Sequence, residues 1–445
     1  MLTQDEAHAL IDRIFKFSRL PEISASVNYS QECNTRFANN QITTAGFTTD
    51  LSINISATQD HRTGNTSATE TSDEALERAV RRAEDMAALT PANPEYVEPL
   101  GPQKYPEIHA FDEATAAARS AELLGAVRST IRSAAEKNLK SFGFYDVNTS
   151  AVAMANNKGL FGYHQRTSAD YSVTARTLDG TGSGWADSQS IRLAEVETER
   201  VGATALDRAV RSQNPKRLDP GKYTVILEPA ALQEMLQYMS FSMDTRAAEE
   251  GRSFLSKKGG GTLLGEKVLG ENVTLRSDPF DPRVPGWPWS WNSQLPAEKT
   301  AWVEKGVVKN MPMDRYWAQK THRQPVPFPS NVIMEGGTST LGDLIASTDR
   351  GLLITHFWYI RFLQPDTVQL TGLTRDGLFY IEKGKVQYPV MNFRFNQSVV
   401  EMLKNVEGMT PAVPVGNPQG DFGGLNLLPT IKVRDFNMAS LSDAV

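Results

Sequence analysis

From Leu51 to Ala57 the chain alternates without a break, Leu51, Ile53, Ile55 and Ala57 against Ser52, Asn54 and Ser56. That is the period of a strand with one buried and one polar face. Strand character also covers residues 23–30 and 36–44, and Asp60-His61-Arg62-Thr63-Gly64 reads as a turn into another strand. Elsewhere the period changes to that of a helix. Ala7, Leu10, Ile11, Ile14 and Phe15 form one stripe over residues 3–17, and Leu76, Ala79, Val80, Ala83 and Met86 form another behind the N-cap candidate Ser72. Asp73 and Glu74 stand in the first turn of that second helix, where its dipole favours acids. A proline-rich connector spans 90–106, and an alanine-rich helix is predicted over 112–138. Strands and turns follow from 140 to 178, then a flexible glycine loop at 180–184 and a helix over 193–213 that stops before Pro215.

Residues 1–215 therefore read as an α+β domain of helices packed on antiparallel strands, with the boundary at 217–221. Residues 222–445 read as a β-rich domain. A strand is predicted at 222–227 and a helix at 229–243, with Pro229 in its first turn. From Thr371 to Asn396 the pattern is again specific. Residues 378–381 and 386–388 are strand-like around the turn Glu382-Lys383-Gly384-Lys385, and Met391, Phe393 and Phe395 alternate with Asn392, Arg394 and Asn396.

Composition narrows the class. A chain of 445 residues with a net charge of -6 is expected to hold two domains and lacks the cationic excess of a sequence-independent nucleic-acid binder. The longest apolar run, near Gly351-Leu352-Leu353-Ile354, is far too short for a membrane span. The single cysteine, Cys33, excludes an intrachain disulfide, and a cytoplasmic location is expected. Glu32 beside Cys33 disfavours the thiolate, so an inert thiol is the expectation.

The segment TGLTRDGLFYIEKGKVQYPVMNFRFN at 371–396 resembles the C-terminal signature of the TldD/TldE (PmbA) metallopeptidase family. Residues 35–43, TRFANNQIT, are similar to the family's early strand motif, and Asn156-Asn157-Lys158-Gly159-Leu160 and Val413-Pro414-Val415-Gly416 are similar to later segments. The resemblance implies a peptide-handling fold. In TldD-type subunits it also implies a His-Glu-x-x-x-His helix and a later cysteine that hold a metal and activate water. This chain departs from that pattern. The helix at 229–243 reads PAALQEMLQYMSFSM, with Glu234 and no histidine, no two of the six histidines lie within a helical turn of each other, and the one cysteine stands near the N-terminus. The resemblance is therefore to the TldE-like branch, which implies a metal-free subunit with zinc in a TldD-like partner and a peptide substrate positioned for proteolysis. The family's association with DNA gyrase finds no supporting basic patch.

Candidate contact residues for such a peptide are His356, Thr374, Arg375, Asp376, Trp287 and Trp289. An extended PGWPWSW segment would place Trp287, Trp289 and Trp291 on one face as an aromatic wall for a peptide or partner, or the loop folds on its own domain. His356 would orient substrate or serve as a base, or it is a hydrogen-bonded core residue. Arg375 would clamp a carboxylate, or it pairs with Asp376 in a turn. A helix at 229–243 that faces a cavity with Gln233, Glu234, Gln237 and Tyr238 and holds no metal would fit the TldE-like reading. Gly260–Lys267 has the glycine spacing of a phosphate loop but carries Glu266 where the lysine belongs, and no Gly-x-Ser-x-Gly elbow occurs. Two other readings stay open. One is a stand-alone homo-oligomeric peptide-binding protein, and the other is a hydrolase whose ligands, such as His322, His356 and Glu335, assemble from distant positions.

Overall fold

A computed structural model describes residues 1–416 and 424–442. The alternating segments of the first half form a six-stranded antiparallel sheet in the order Arg62–Ala68, Gln41–Gln59, Glu22–Ala38, Leu139–Asn156, Phe161–Thr177, Ser183–Ser190. The sequence reading cut the first two strands in the wrong place. Residues 36–44 are not one strand but straddle a hairpin turn, at which Asn39 and Asn40 take positive φ of 50° and 61°. That is the backbone a two-residue turn demands and asparagine tolerates. The glycine segment 180–184 is also not a loose loop. Gly182 and Gly184 lie under the helix Thr198–Arg211, where a Cβ on Gly184 would stand 2.3 Å from the Ala205 carbonyl.

Helices cover one face of this sheet. Gln4–Phe17 and Asp73–Leu89 bury Ile11, Ile14, Leu76 and Val80 against Val27, Ile53 and Ile55. At the other end Ser120–Glu136 and Thr198–Arg211 cover Phe37, Val147 and Tyr171. The helix expected over 112–138 is broken into Glu113–Ala116 and Ser120–Glu136. A new start is built at residues 119–122, where the Arg119 amide donates to the Glu122 carboxylate. The opposite face of the sheet carries Asp146, Arg166, Ser168, Asp170 and Ser172, and faces the second half of the chain.

That second half is β-rich. Gly221–Leu227, Arg350–Gln364, Gln369–Glu382, Phe393–Ser398 and Ile431–Leu441 pair in a closed circuit, because Arg350–Gln364 bonds both to Gly221–Leu227 and to Gln369–Glu382. Closure removes the sheet edges that would otherwise be open to foreign strands. The main core joins Phe357, Phe395 and Phe436 with Leu232, Met235, Leu236 and Met239 of the helix Pro229–Phe241. A smaller six-stranded sheet, with Leu275–Ser277 and Ile333–Met334 at its centre, flanks it. The fold is thus α+β with a β-rich C-terminal part, as its periodicities predict. Among the described residues no helix is long and apolar enough to cross a membrane.

Candidate functional site

Two strands and one helix converge where the first sheet meets the barrel. The pairing between Arg350–Gln364 and Gln369–Glu382 slips between Ile354 and His356, and across from it Asp376 takes a left-handed backbone with φ of 53°. Aspartate tolerates that conformation better than bulkier residues do. The Thr355 hydroxyl helps fix it by donating to the Asp376 carbonyl at 3.3 Å.

The irregularity sets His356 between two acids. Its Nδ1 lies 3.4 Å from Glu234 Oε1 of the helix Pro229–Phe241, and its Nε2 lies 3.2 Å from Asp376 Oδ2. Glu234 is wholly buried and its other oxygen accepts the Phe357 amide at 2.6 Å. Ser183, at the start of the last strand of the first sheet, donates to Asp376 Oδ1. From the same strand Trp185 stacks on the imidazole with centroids 4.6 Å apart and planes at 24°. Burial alone would lower the histidine pKa, but the Glu234 carboxylate, joined by Asp376, outweighs it and raises the value to about 9. Burial pushes the Asp376 carboxyl up, and the facing imidazolium overrides that to hold it below the ordinary aspartate range. The ring is therefore an imidazolium that donates through both nitrogens. A buried charge of this kind is tolerated because each end meets an opposite charge.

The arrangement does not suit a metal. Its two carboxylates stand at opposite edges of the imidazole, so their lone pairs do not converge on one point, whereas a zinc site needs ligands about 2 Å from a common centre. Among the described residues no group of three or more His, Cys, Asp and Glu is placed to hold a metal ion. His322 follows the short helix Arg315–Lys320, and Glu335 is exposed. Polar residues of the helix Pro229–Phe241 are engaged by neighbouring strands. Gln233 accepts from Asn426 at 3.0 Å, and the Tyr238 hydroxyl donates to the Ile360 carbonyl at 2.7 Å. Both bonds tie the helix to neighbouring strands, while Leu232, Met235, Leu236 and Met239 pack it into the core.

The remaining predicted residues divide. Arg375 lies over Trp358 at 4.6 Å and 3.6 Å from Asp376. Thr374 is buried, with its hydroxyl donating to Asn392 at 3.0 Å and accepting the Phe393 amide at 2.9 Å. Neither tryptophan joins this cluster. Trp289 is fully buried against Val152 and Met154 of the first sheet and Leu160 of the turn that follows them. Trp287 sits edge-on to His164 at 5.1 Å, and Trp291 packs on Trp287 at 4.9 Å with half its surface exposed. The PGWPWSW segment thus folds across onto the other sheet. It closes a cavity of about 820 Å³ lined by Trp185, Trp287, Trp291, Arg166, Asp170 and Asp187 among others. Sequence reasoning missed Ser183, Trp185 and the acids of this cavity, because alternating polar residues in a strand read as a solvated face.

Comparison with known proteins places this geometry. Models of PmbA/TldA metallopeptidase domain 1, central domain and C-terminal domain match residues 24–87, 100–213 and 220–440. A metalloprotease of Methanothermobacter thermautotrophicus is 24% identical over 233 residues, and the match spans 49% of each chain. The metalloprotease PmbA of Escherichia coli O157:H7 is 20% identical over 89% of this chain and 87% of its own. In three dimensions the fold is that of TldE from Thermococcus kodakarensis, with a TM-score of 0.84 and 21% identity over 97% of this chain and 99% of the other. With all three family domains matched in order along its length, the chain belongs to the PmbA/TldD metallopeptidase family.

Proposed function

We propose that this chain is a TldE-like subunit that does not itself hydrolyse peptides but binds and positions them, in extended form, for a zinc-bearing TldD-like partner. The observation that carries this reading is the use made of Glu234. In the helix Pro229–Phe241, where the family resemblance leads one to seek a metal and a catalytic glutamate, the only acid is locked between the His356 imidazolium and the Phe357 amide. A carboxylate so engaged, and with none of its surface exposed, is not presented to a water molecule whose proton it could take. The cavity beneath Trp287 and Trp291 supplies room and aromatic surface for a peptide.

Co-expression with a TldD-like protein from the same source tests the proposal. The two chains are expected to co-purify, with zinc found in the partner alone, and this chain is expected to raise peptidase activity. Lack of association together with unchanged activity would sink it, and stoichiometric zinc in this chain purified alone would return catalysis to it. A stand-alone homo-oligomeric peptide-binding protein is the second reading, favoured by the exposed Trp358, Tyr359, Phe362 and Leu363 on one barrel strand. Its mark would be self-association that persists when the partner is added.

A further inference from the structure

The polar face of the first sheet carries charges that do not neutralise one another. Asp146 and Asp170 are direct cross-strand partners, Asp170 stands opposite Gln189, and Asp187 stands opposite Ser172 on the next strand. Like charges placed directly opposite on adjacent strands destabilise a sheet. Among the described residues none of the three aspartates has a cation partner at ion-pair distance. Burial, followed by the Glu32 carboxylate, pushes the Asp146 carboxyl up to about 7. Burial with Asp146 and Asp187 pushes Asp170 up to about 8.

On the same face of the same strand as Asp170 stands Arg166, half-buried. Its guanidinium rests over the Trp287 ring at 5.1 Å and makes no ion pair among the described residues. Two positions before it, His164 is 6% exposed and its Nε2 has no hydrogen-bond partner. Four residue steps along the strand separate Arg166 from Asp170 by about 13 Å, too far to pair but close to the length of four residues of extended peptide. Both line the cavity closed by Trp287 and Trp291. A cavity with acids that lack a cation at one end and a half-buried guanidinium that lacks an anion at the other is complementary to a chain that carries an ammonium group followed by carbonyl acceptors.

We infer that this cavity selects peptides by an alkylammonium group, which the Asp146 and Asp170 carboxylates receive while the peptide runs along the strand Phe161–Thr177 toward Arg166. A divalent metal is the poorer occupant, since among the described residues no group of three or more candidate ligands is gathered there. The inference rests on the peptide-binding reading above and names the chemistry that reading leaves open. The ammonium has two sources, a peptide's amino terminus or a lysine side chain.

Three peptides separate them, each titrated into the full-length chain with tryptophan fluorescence as readout, since Trp185, Trp287 and Trp291 line the cavity. They are penta-alanine amide with a free amino terminus, its N-acetylated form, and an acetylated alanine peptide with one central lysine. The free-amine or the lysine peptide, or both, should bind about tenfold or more tighter than the acetylated alanine peptide, the scale of a charge-assisted hydrogen bond. Whichever wins identifies the source. The double variant D146N/D170N keeps the shape and should abolish the preference while raising the unfolding temperature near pH 9, because it removes the like-charge repulsion. Equal binding of all three peptides overturns the inference and leaves peptide binding intact, as does a preference that survives in D146N/D170N. No binding of any peptide overturns the inference and the peptide-binding reading together.

Discussion

Replacing His356 by glutamine removes the charge that joins the helix Pro229–Phe241 to the barrel. In the folded chain the imidazole pKa rises from 6.5 to about 9 through Glu234 and Asp376, which prevail over the opposing effect of burial. At 1.36 kcal/mol per tenfold change in proton affinity, that rise corresponds to roughly 3 kcal/mol of stability. Its sign is fixed. Because the folded value is the higher one, the contribution is complete below the unfolded value of 6.5 and is lost as pH climbs through about 9. H356Q should therefore lose about 3 to 5 kcal/mol near pH 6, since it also leaves two buried carboxylates without their cation. The triple neutral variant E234Q/H356Q/D376N should recover most of that loss. Urea unfolding of wild type and H356Q from about pH 6 to about pH 9.5 checks this, because subtraction cancels the titration of the cavity aspartates. The two curves should converge as pH rises. A difference that stays constant across the window would show that His356 is neutral in the folded chain and refute the ionic account of the site.

Three further outcomes follow from the packing. Trp289→Ala should cost about 3 to 5 kcal/mol by urea titration, whereas Trp289→Phe should cost clearly less, because the buried indole Nε1 makes no hydrogen bond to lose. Gly64→Ala would place a Cβ 2.0 Å from the Ala83 carbonyl of the helix Asp73–Leu89 and should lower the midpoint by the equivalent of about 1 to 3 kcal/mol. Arg208→Met leaves the mostly buried Glu228 carboxylate without its ion pair and frees the Trp185 carbonyl. It should destabilise by about 2 kcal/mol, and faster hydrogen exchange at the start of the helix Pro229–Phe241 would locate the effect.

Much of the secondary structure was legible because its signals are local. The stripes of Gln4–Phe17 and Asp73–Leu89, the N-cap at Ser72 and the alternation at 51–57 each report on neighbours within a turn or a pleat. The errors share a cause. At Asn39-Asn40 the apolar and polar pattern carries on through a turn, so periodicity could not show the reversal, though two adjacent residues that tolerate positive φ could have. At 180–184 glycine suggested mobility, but Gly182 and Gly184 are there because the backbone of a helix presses on them. Of the candidate site residues, His356, Arg375 and Asp376 are brought together, Thr374 serves the backbone beside them, and Trp287 and Trp289 belong to a separate wall.

By itself the sequence determined the family, the α+β class, and the lack of a histidine pair in the helix at 229–243, since each is written in contiguous residues. Only the tertiary structure decided that Glu234, His356, Asp376 and Ser183 form one buried cluster, and that Asp146 stands beside Asp170 on the wall of a cavity that Arg166 also lines. These groupings depend on strand register and on the closure of the barrel. A shift of one residue in either would leave every local pattern of hydrophobicity in the sequence unchanged and yet turn these side chains to the opposite face.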